Sequence, residues 1–192
     1  MVSPDTLNKK GWFIAGGRDG DRTLEQQLTG LTPLFESVAG KTVLDAGCAE
    51  GLIAIELARY GAKACVGLEV VEGHVEVARE LAAGLPCEFH QANLNDFDVG
   101  QLGEFDVVLM LAILHKLRDP SKVCTALAAV ARELCVIRLP PTGPVIKDPR
   151  SFWTLHDIIT VMQSAGFYLE QTQSGPFQEW MGYFRRQRQP GA

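Results

Sequence analysis

Residues 43–58 read VLDAGCAEGLIAIELA, and the fold of the whole chain turns on this stretch. Val43 and Leu44 end an apolar run that meets an acid at Asp45. Gly47 and Gly51 bracket a sharp turn, and Leu52 to Ala58 open a helical pattern. A strand, a glycine-lined turn and a helix whose first N–H groups lack intrahelical partners together form a ligand cradle. Gly47 lets the backbone turn or come close to a bulky group, and Gly51 lets the helix pack against a sheet. Asp45 stands at the carboxyl end of the strand, the edge where open α/β sheets hold their ligands.

The chemistry of the turn narrows the ligand. A dinucleotide fingerprint needs G-x-G-x-x-G, whereas Gly47-Cys48-Ala49-Glu50-Gly51 has two glycines and an acid between them. Asp45 and Glu50 would repel a pyrophosphate, and no G-K-[ST] follows to make a phosphate loop. An acidic, glycine-lined turn suits a ligand that carries positive charge, such as a sulfonium or an amine.

Outward from the turn the chain alternates. Arg22 to Val38 reads as a helix that Pro33 would bend or split around Gly30-Leu31-Thr32. Strands are expected at Thr42–Asp45, Ala64–Leu68, Pro86–His90, Phe105–Leu109 and Glu133–Leu139, with helices at Leu52–Tyr60, Gly73–Ala83 and Ser121–Ala131. This order calls for a mostly parallel sheet covered on both faces. Right-handed crossovers would bring the strand ends carrying Asp45, Glu69 and Asn93 together. A polar loop Thr142–Arg150, a helix Phe152–Ser164 and a closing hairpin from Phe167 to about Arg185 complete the chain, and Arg185-Arg186-Gln187-Arg188 reads as a solvated end.

Length and composition set bounds. The 192 residues are expected to form a single domain over 1–192, with residues 1–40 as an N-terminal helical or lid segment hinged at Gly16 and Gly17. A formal charge of −5 argues against non-specific nucleic-acid binding as the main task. Cys48, Cys65, Cys87, Cys124 and Cys135 are dispersed and never spaced C-x-x-C, which reads as reduced thiols of a cytoplasmic protein. No apolar run approaches a membrane span, and the N-terminus lacks the form of a signal peptide.

Glu69 follows Gly47 by 22 residues at the end of an apolar strand, the place of an acid that accepts hydrogen bonds from a ribose diol. With Asp45 and the glycine turn it forms a pattern, V-L-D-x-G-x-x-x-G plus a distant acid, that resembles the class I S-adenosylmethionine-dependent methyltransferases over about Lys41–Leu139. The resemblance implies a Rossmann-like α/β fold, a seven-stranded mostly parallel sheet with helices on both faces and an antiparallel C-terminal strand. It implies S-adenosyl-L-methionine as cofactor. Asp45, Gly47, Cys48, Glu50 and Gly51 would cradle its amino-acid portion, and Glu69, with Val70 beside it, would take the ribose. In this family an acid usually contacts the adenine amine where Asn93 falls, so either Asn93 or Asp96 would read the ring, with Leu94 against its face.

A second resemblance lies in Phe105–Leu117, a strand followed by a loop with His115 ahead of Asp119-Pro120. Met110 to Ile113 would line the cofactor there, and His115 is the candidate proton acceptor, with Glu179 and His156 as distant ones. There is no [ND]-P-P-Y segment of the kind that marks amino-group methylation in the family, no cysteine nucleophile at that place and no set of acids for a metal. The expected activity is methyl transfer to a small molecule recognised by Trp12–Arg22, Pro140–Trp153, Phe177 and Trp180. An RNA acceptor, using a rim of Lys9, Lys10, Arg18 and Arg22, and a non-catalytic cofactor-binding module are the alternatives. A nicotinamide oxidoreductase would need a third glycine and a Tyr-x-x-x-Lys pair, and the chain has neither.

Overall fold

The protein was analysed as a computed structural model, which describes residues 11–13, 20–140 and 154–187. The polar loop Thr142–Arg150 and the glycine hinges Gly16 and Gly17 lie outside the described residues. Two short strands, β1 (Gly11–Phe13) and β2 (Gly20–Arg22), pair in parallel. Where one helix was expected over Arg22–Val38, two form, α1 (Leu24–Leu28) and α2 (Thr32–Phe35). Thr23 starts the first, its hydroxyl accepting from Gln26 N while the Gln26 side chain accepts from Thr23 N. Gly30, at φ +80°, breaks the run. Pro33 lies in the first turn of α2, where a missing N–H costs nothing.

The alternating core follows as β3 (Thr42–Ala46), α3 (Leu52–Arg59), β4 (Ala64–Glu69), α4 (Glu72–Leu81), β5 (Cys87–Gln91), β6 (Phe105–Leu111), α5 (Pro120–Ala129) and β7 (Ala131–Leu139). Helix α6 (Leu155–Ser164), β8 (Phe167–Ser174) and β9 (Trp180–Arg186) complete it. The seven main strands order as β5-β4-β3-β6-β7-β9-β8. Strands β3 to β7 are mutually parallel, and β9 runs antiparallel to both of its neighbours. The expected hairpin lies at the sheet edge, with its last strand, β9, between β7 and β8. Phe184 and Tyr183 are thereby buried on opposite faces of the sheet.

Period-two alternation divides the apolar residues into two cores. Val107, Leu109 and Leu111 of β6 face α3 and the N-terminal helices, whereas Val108 and Met110 face α5 and α6. Fully burying each such side chain contributes about 1.5–3 kcal/mol. The arginines at the end of β9 depart from the solvated tail expected of them. Arg186 donates to Ala128 O in the last turn of α5 and to Ala131 O at the start of β7, and lies over the Phe167 ring, while Arg185 pairs with Glu170.

Helix α3 can begin where it does only because Gly51 has no side chain. Its φ is +73°, and a Cβ there would stand 2.5 Å from the Phe89 ring and 2.9 Å from Ala78 Cβ. Gly51→Ala therefore combines backbone strain with a clash in a close-packed layer, and should cost about 2–4 kcal/mol. Urea denaturation should show a lowered midpoint with an unchanged slope.

Candidate functional site

The carboxyl ends of β3, β4, β6 and β7 open onto one cavity of about 300 Å³. Asp45 reaches it from β3, Glu69 from β4 and Arg138 from β7, while Ala112, just past β6, forms part of its wall. Parallel pairing sets Asp45 beside Gly67, whose missing side chain leaves room for the Phe89 ring and Cys48 Sγ, at 2.4 Å and 2.7 Å from where a Cβ would stand. The turn after β3 folds back on the neighbouring strand, with Gly47 N and Cys48 N both donating to Leu68 O. Gly47 sits at φ +82°, and a Cβ on it would meet Ile113 at 2.9 Å. Ala49 and Ala112, both on the cavity wall, also adopt left-handed backbone, at φ 50° and 56°.

Glu69 is fixed before any ligand arrives. One carboxylate oxygen accepts from Val70 N at 2.9 Å and Val71 N at 3.0 Å, and the other accepts from Ala49 N at 3.1 Å. The carboxylate thus ties the glycine turn to the start of α4. Asp45 has a different environment. It is 2% exposed, and burial pushes its pKa up to about 7, opposed by the Arg138 guanidinium and reinforced by the Glu69 charge. A carboxylate whose pKa is raised chiefly by burial would be stabilised in its ionised form by a further cation beside it.

Arg138 is the residue that sequence reasoning missed. It donates to Gln27 O at 3.1 Å and Gln27 Oε1 at 2.5 Å, and its Nε lies 3.2 Å from Glu179 Oε2. The other Glu179 oxygen accepts from Arg22 at 3.1 Å. Burial lowers the Arg138 pKa while Glu179 raises it. Glu179, expected as a distant proton acceptor, is instead the 2% exposed counter-ion that joins two arginines. The signal for Arg138 was its position as a lone charge in the apolar run Leu134–Leu139. Gln27 gave none.

Of the anticipated cofactor residues, Asp45, Gly47, Cys48, Glu69, Val70, Asn93 and Leu94 line the cavity together. Gly51 packs behind the turn, Glu50 is 3% exposed with its Oε1 3.5 Å from His74 Nε2, and Met110 is fully buried in the α5–α6 core. Of the two adenine-reading candidates, Asn93 lines the cavity, while Asp96 accepts from Asn93 Nδ2 and pairs with Arg118. Burial pushes the Cys48 thiol well above its usual range, so it is no nucleophile. His115 sits in a short 3-10 turn beside the cavity without lining it. Its Nδ1 is buried with no hydrogen-bond partner among the described residues, and burial, aided by Lys116, lowers its pKa to about 4. The neighbouring Lys116 does reach the cavity. His156 is exposed on α6, Phe177 is exposed under Arg22, and Trp180 packs edge-on to Phe184.

The cavity therefore offers a fixed carboxylate for a diol, a buried carboxylate for a cation and an apolar wall for a ring, the complement of a nucleoside with a positively charged tail. Residues 43–134 match the family described as the methyltransferase domain. The chain is 32% identical over 98 residues to the ubiquinone biosynthesis O-methyltransferase of Bordetella parapertussis, covering 50% of this chain and 40% of that protein. Against the protein of the same description from Pseudomonas paraeruginosa it is 35% identical over 91 residues, covering 46% and 39%. The matched region thus spans about two fifths of these curated relatives. The fold is that of magnesium protoporphyrin IX methyltransferase from Synechocystis with bound SAM, at a TM-score of 0.63 and 23% identity over 81% of this chain and 74% of that one. Over residues 43–134 the chain is thus similar in sequence to the methyltransferase domain, and the order of its strands gives it the fold of solved S-adenosylmethionine-dependent methyltransferases.

Proposed function

We propose that this protein transfers a methyl group from S-adenosyl-L-methionine to a small-molecule acceptor, as a single domain over residues 1–192 in the cytoplasm. The observation that carries the reading is the pair of unlike carboxylates at the sheet edge, Glu69 held by three backbone amides and Asp45 buried with its pKa raised to about 7. Such a pair suits the two ends of an adenosyl sulfonium with an ammonium-bearing tail. A small-molecule acceptor is supported by the curated relatives' description and by a net charge of −5, which disfavours RNA.

The cofactor, when bound, supplies a methyl group already activated on a positive sulfur. The chain's own work is to bind, align and exclude water. Asp45 would hold the cationic amino-acid end, with Gly47 and Cys48 as the close backbone wall. Glu69 would accept from the ribose hydroxyls, and Val70, Asn93 and Leu94 would frame the adenine. Asn93 has its side-chain oxygen engaged by Asn95 N and Nδ2, which orients the amide before binding. Ile113 and Leu117 supply the apolar wall that keeps water from the reacting atoms.

The proton of the acceptor needs no strong base unless the acceptor is protonated at working pH. A pKa of about 4 leaves the His115 imidazole neutral at pH 7 and weakly basic. His115→Ala should leave cofactor affinity unchanged and turnover within about threefold, with no limb of the pH–rate profile lost between pH 5 and 9. A hundredfold fall in turnover at unchanged affinity would return the base to His115. The function as a whole is tested by titrating S-adenosylmethionine, S-adenosylhomocysteine and NAD in a calorimeter, then following labelled methyl into a metabolite extract and an RNA pool. Label in the metabolite extract is expected. Binding without any transfer would mark a cofactor-binding module, and a preference for NAD would overturn the reading.

A further inference from the structure

Strands β4 and β5 carry a feature that methyl transfer does not use. Cys65 and Cys87 are 22 residues apart in sequence, yet they are direct partners in the parallel register. Both side chains belong to the α3–α4 face of the sheet, as in-register partners on parallel strands must, and Cys87 Sγ lies 3.8 Å from Ala54 O of α3. We propose that Cys65 and Cys87 are a thiol redox pair that a hydroperoxide converts to a disulfide linking β4 to β5.

Distance favours the bond. Neighbouring strands lie about 4.8 Å apart, inside the roughly 4.4–6.8 Å Cα separation over which a disulfide closes. Access favours Cys87 as the first site of attack. Strand β5 is an edge of the sheet among the described residues, and Cys87 lines a surface cavity of about 430 Å³ together with Arg79 and Phe89, whereas Cys65 is 1% exposed. The neighbouring Cys65 thiol, and then the Arg59 charge, lower the Cys87 pKa against the effect of partial burial. That is the polarity a peroxide-reactive thiol needs. Cys124 and Cys135 are fully buried, and Cys48, which lines the cavity at the carboxyl ends of the strands, is 4% exposed with its thiol pKa pushed well up by burial.

The chemistry balances without a metal or flavin. The Cys87 thiolate attacks one peroxide oxygen and breaks the O–O bond, giving a sulfenic acid while the other oxygen leaves as an alcohol or as water. The Cys65 sulfur then attacks the Cys87 sulfur. Hydroxide leaves and takes the Cys65 proton as water. Two thiols and one hydroperoxide thus yield one disulfide, one alcohol or water, and one further water.

The test treats the whole protein with hydrogen peroxide, alkylates the remaining thiols after denaturation and maps the peptides. The expected result is a linked pair of peptides containing Cys65 and Cys87, three alkylated cysteines and reversal by dithiothreitol. In Cys65→Ser, dimedone should trap Cys87 as the sulfenic acid at least tenfold more than in the wild type. In Cys87→Ser, Cys65 should remain alkylatable. Five alkylated cysteines in the treated wild type, or Cys87 carried to the sulfinic acid without a linked peptide, would overturn the proposal. Neither outcome bears on cofactor binding, because the two thiols lie outside the site assigned to it.

Discussion

Asp45→Asn should make the ligand-free protein more stable above pH 7 and, in the same molecule, weaken S-adenosylmethionine binding about a hundredfold. The first effect follows from proton linkage. The folded pKa of about 7 lies above the ordinary 3.8, so between those values the folded state holds a proton that the unfolded state has released. The native state is therefore progressively destabilised as pH rises from about 4 to about 7, and the cost is complete above 7. A shift of about three units amounts to about 4 kcal/mol. Asparagine has the same shape without the charge, but it leaves Arg138 without an opposing carboxylate on β3. About 2 kcal/mol of the penalty should then be recovered, visible as a higher melting temperature at pH 8 and a flatter pH dependence of stability between 4 and 7.

The second effect of that substitution arises because a buried ionised acceptor is worth about 1.5–3 kcal/mol to a charged donor. A cation arriving at Asp45 restores its ordinary acidity, so wild-type binding below pH 7 should release close to one proton. The release can be read from the dependence of the binding enthalpy on buffer ionisation, and Asp45→Asn should abolish it. Equal affinity in the two proteins would remove the cation-receptor role from Asp45. A site that stores instability in the empty state for use in the bound one gives up fold stability at the position that serves the ligand.

That site was partly legible in the chain. Asp45, Gly47 and Glu69 could be read because strand ends, turn glycines and the spacing between successive parallel strands are local regularities. Arg138 and Gln27 could not be joined in the same way, since their hydrogen bonds cross 111 residues of sequence and depend on how the N-terminal helices dock. Met110 had a readable signal that points elsewhere. It shares parity with Val108, which faces α5 and α6, whereas Leu111 lies on the other face and reaches the cavity. Treating Met110 as loop hid the alternation, because β6 runs on to Leu111. The choice between His115 and Lys116 rests on the direction of one 3-10 turn. The insertion of β9 between β7 and β8 is likewise a matter of tertiary pairing, since any β-hairpin sequence is compatible with an edge.

Glu69→Ala should weaken S-adenosylmethionine binding by about two orders of magnitude and also destabilise the fold, and the two effects can be separated. The carboxylate accepts from Ala49 N, Val70 N and Val71 N, so truncation leaves the turn after β3 and the start of α4 without their shared acceptor. The loss should be about 2–3 kcal/mol in urea denaturation, because these amides donate to a charged group and are only partly replaced by water. Glu69→Gln keeps one oxygen for Val70 N and Val71 N but turns an NH2 toward Ala49 N, and should recover more than half of the stability. For the ligand, the decisive comparison is adenosine against 2′,3′-dideoxyadenosine. Wild-type protein should prefer the diol at least tenfold, and Glu69→Ala should bind the two alike, since a donor without its acceptor gains nothing from the hydroxyls. The ratio of ratios isolates the diol–carboxylate contact from any general loosening of the turn, which would weaken both nucleosides equally. If Glu69→Ala kept the wild-type preference for adenosine, Glu69 would be a brace for the turn and the ribose would be held elsewhere.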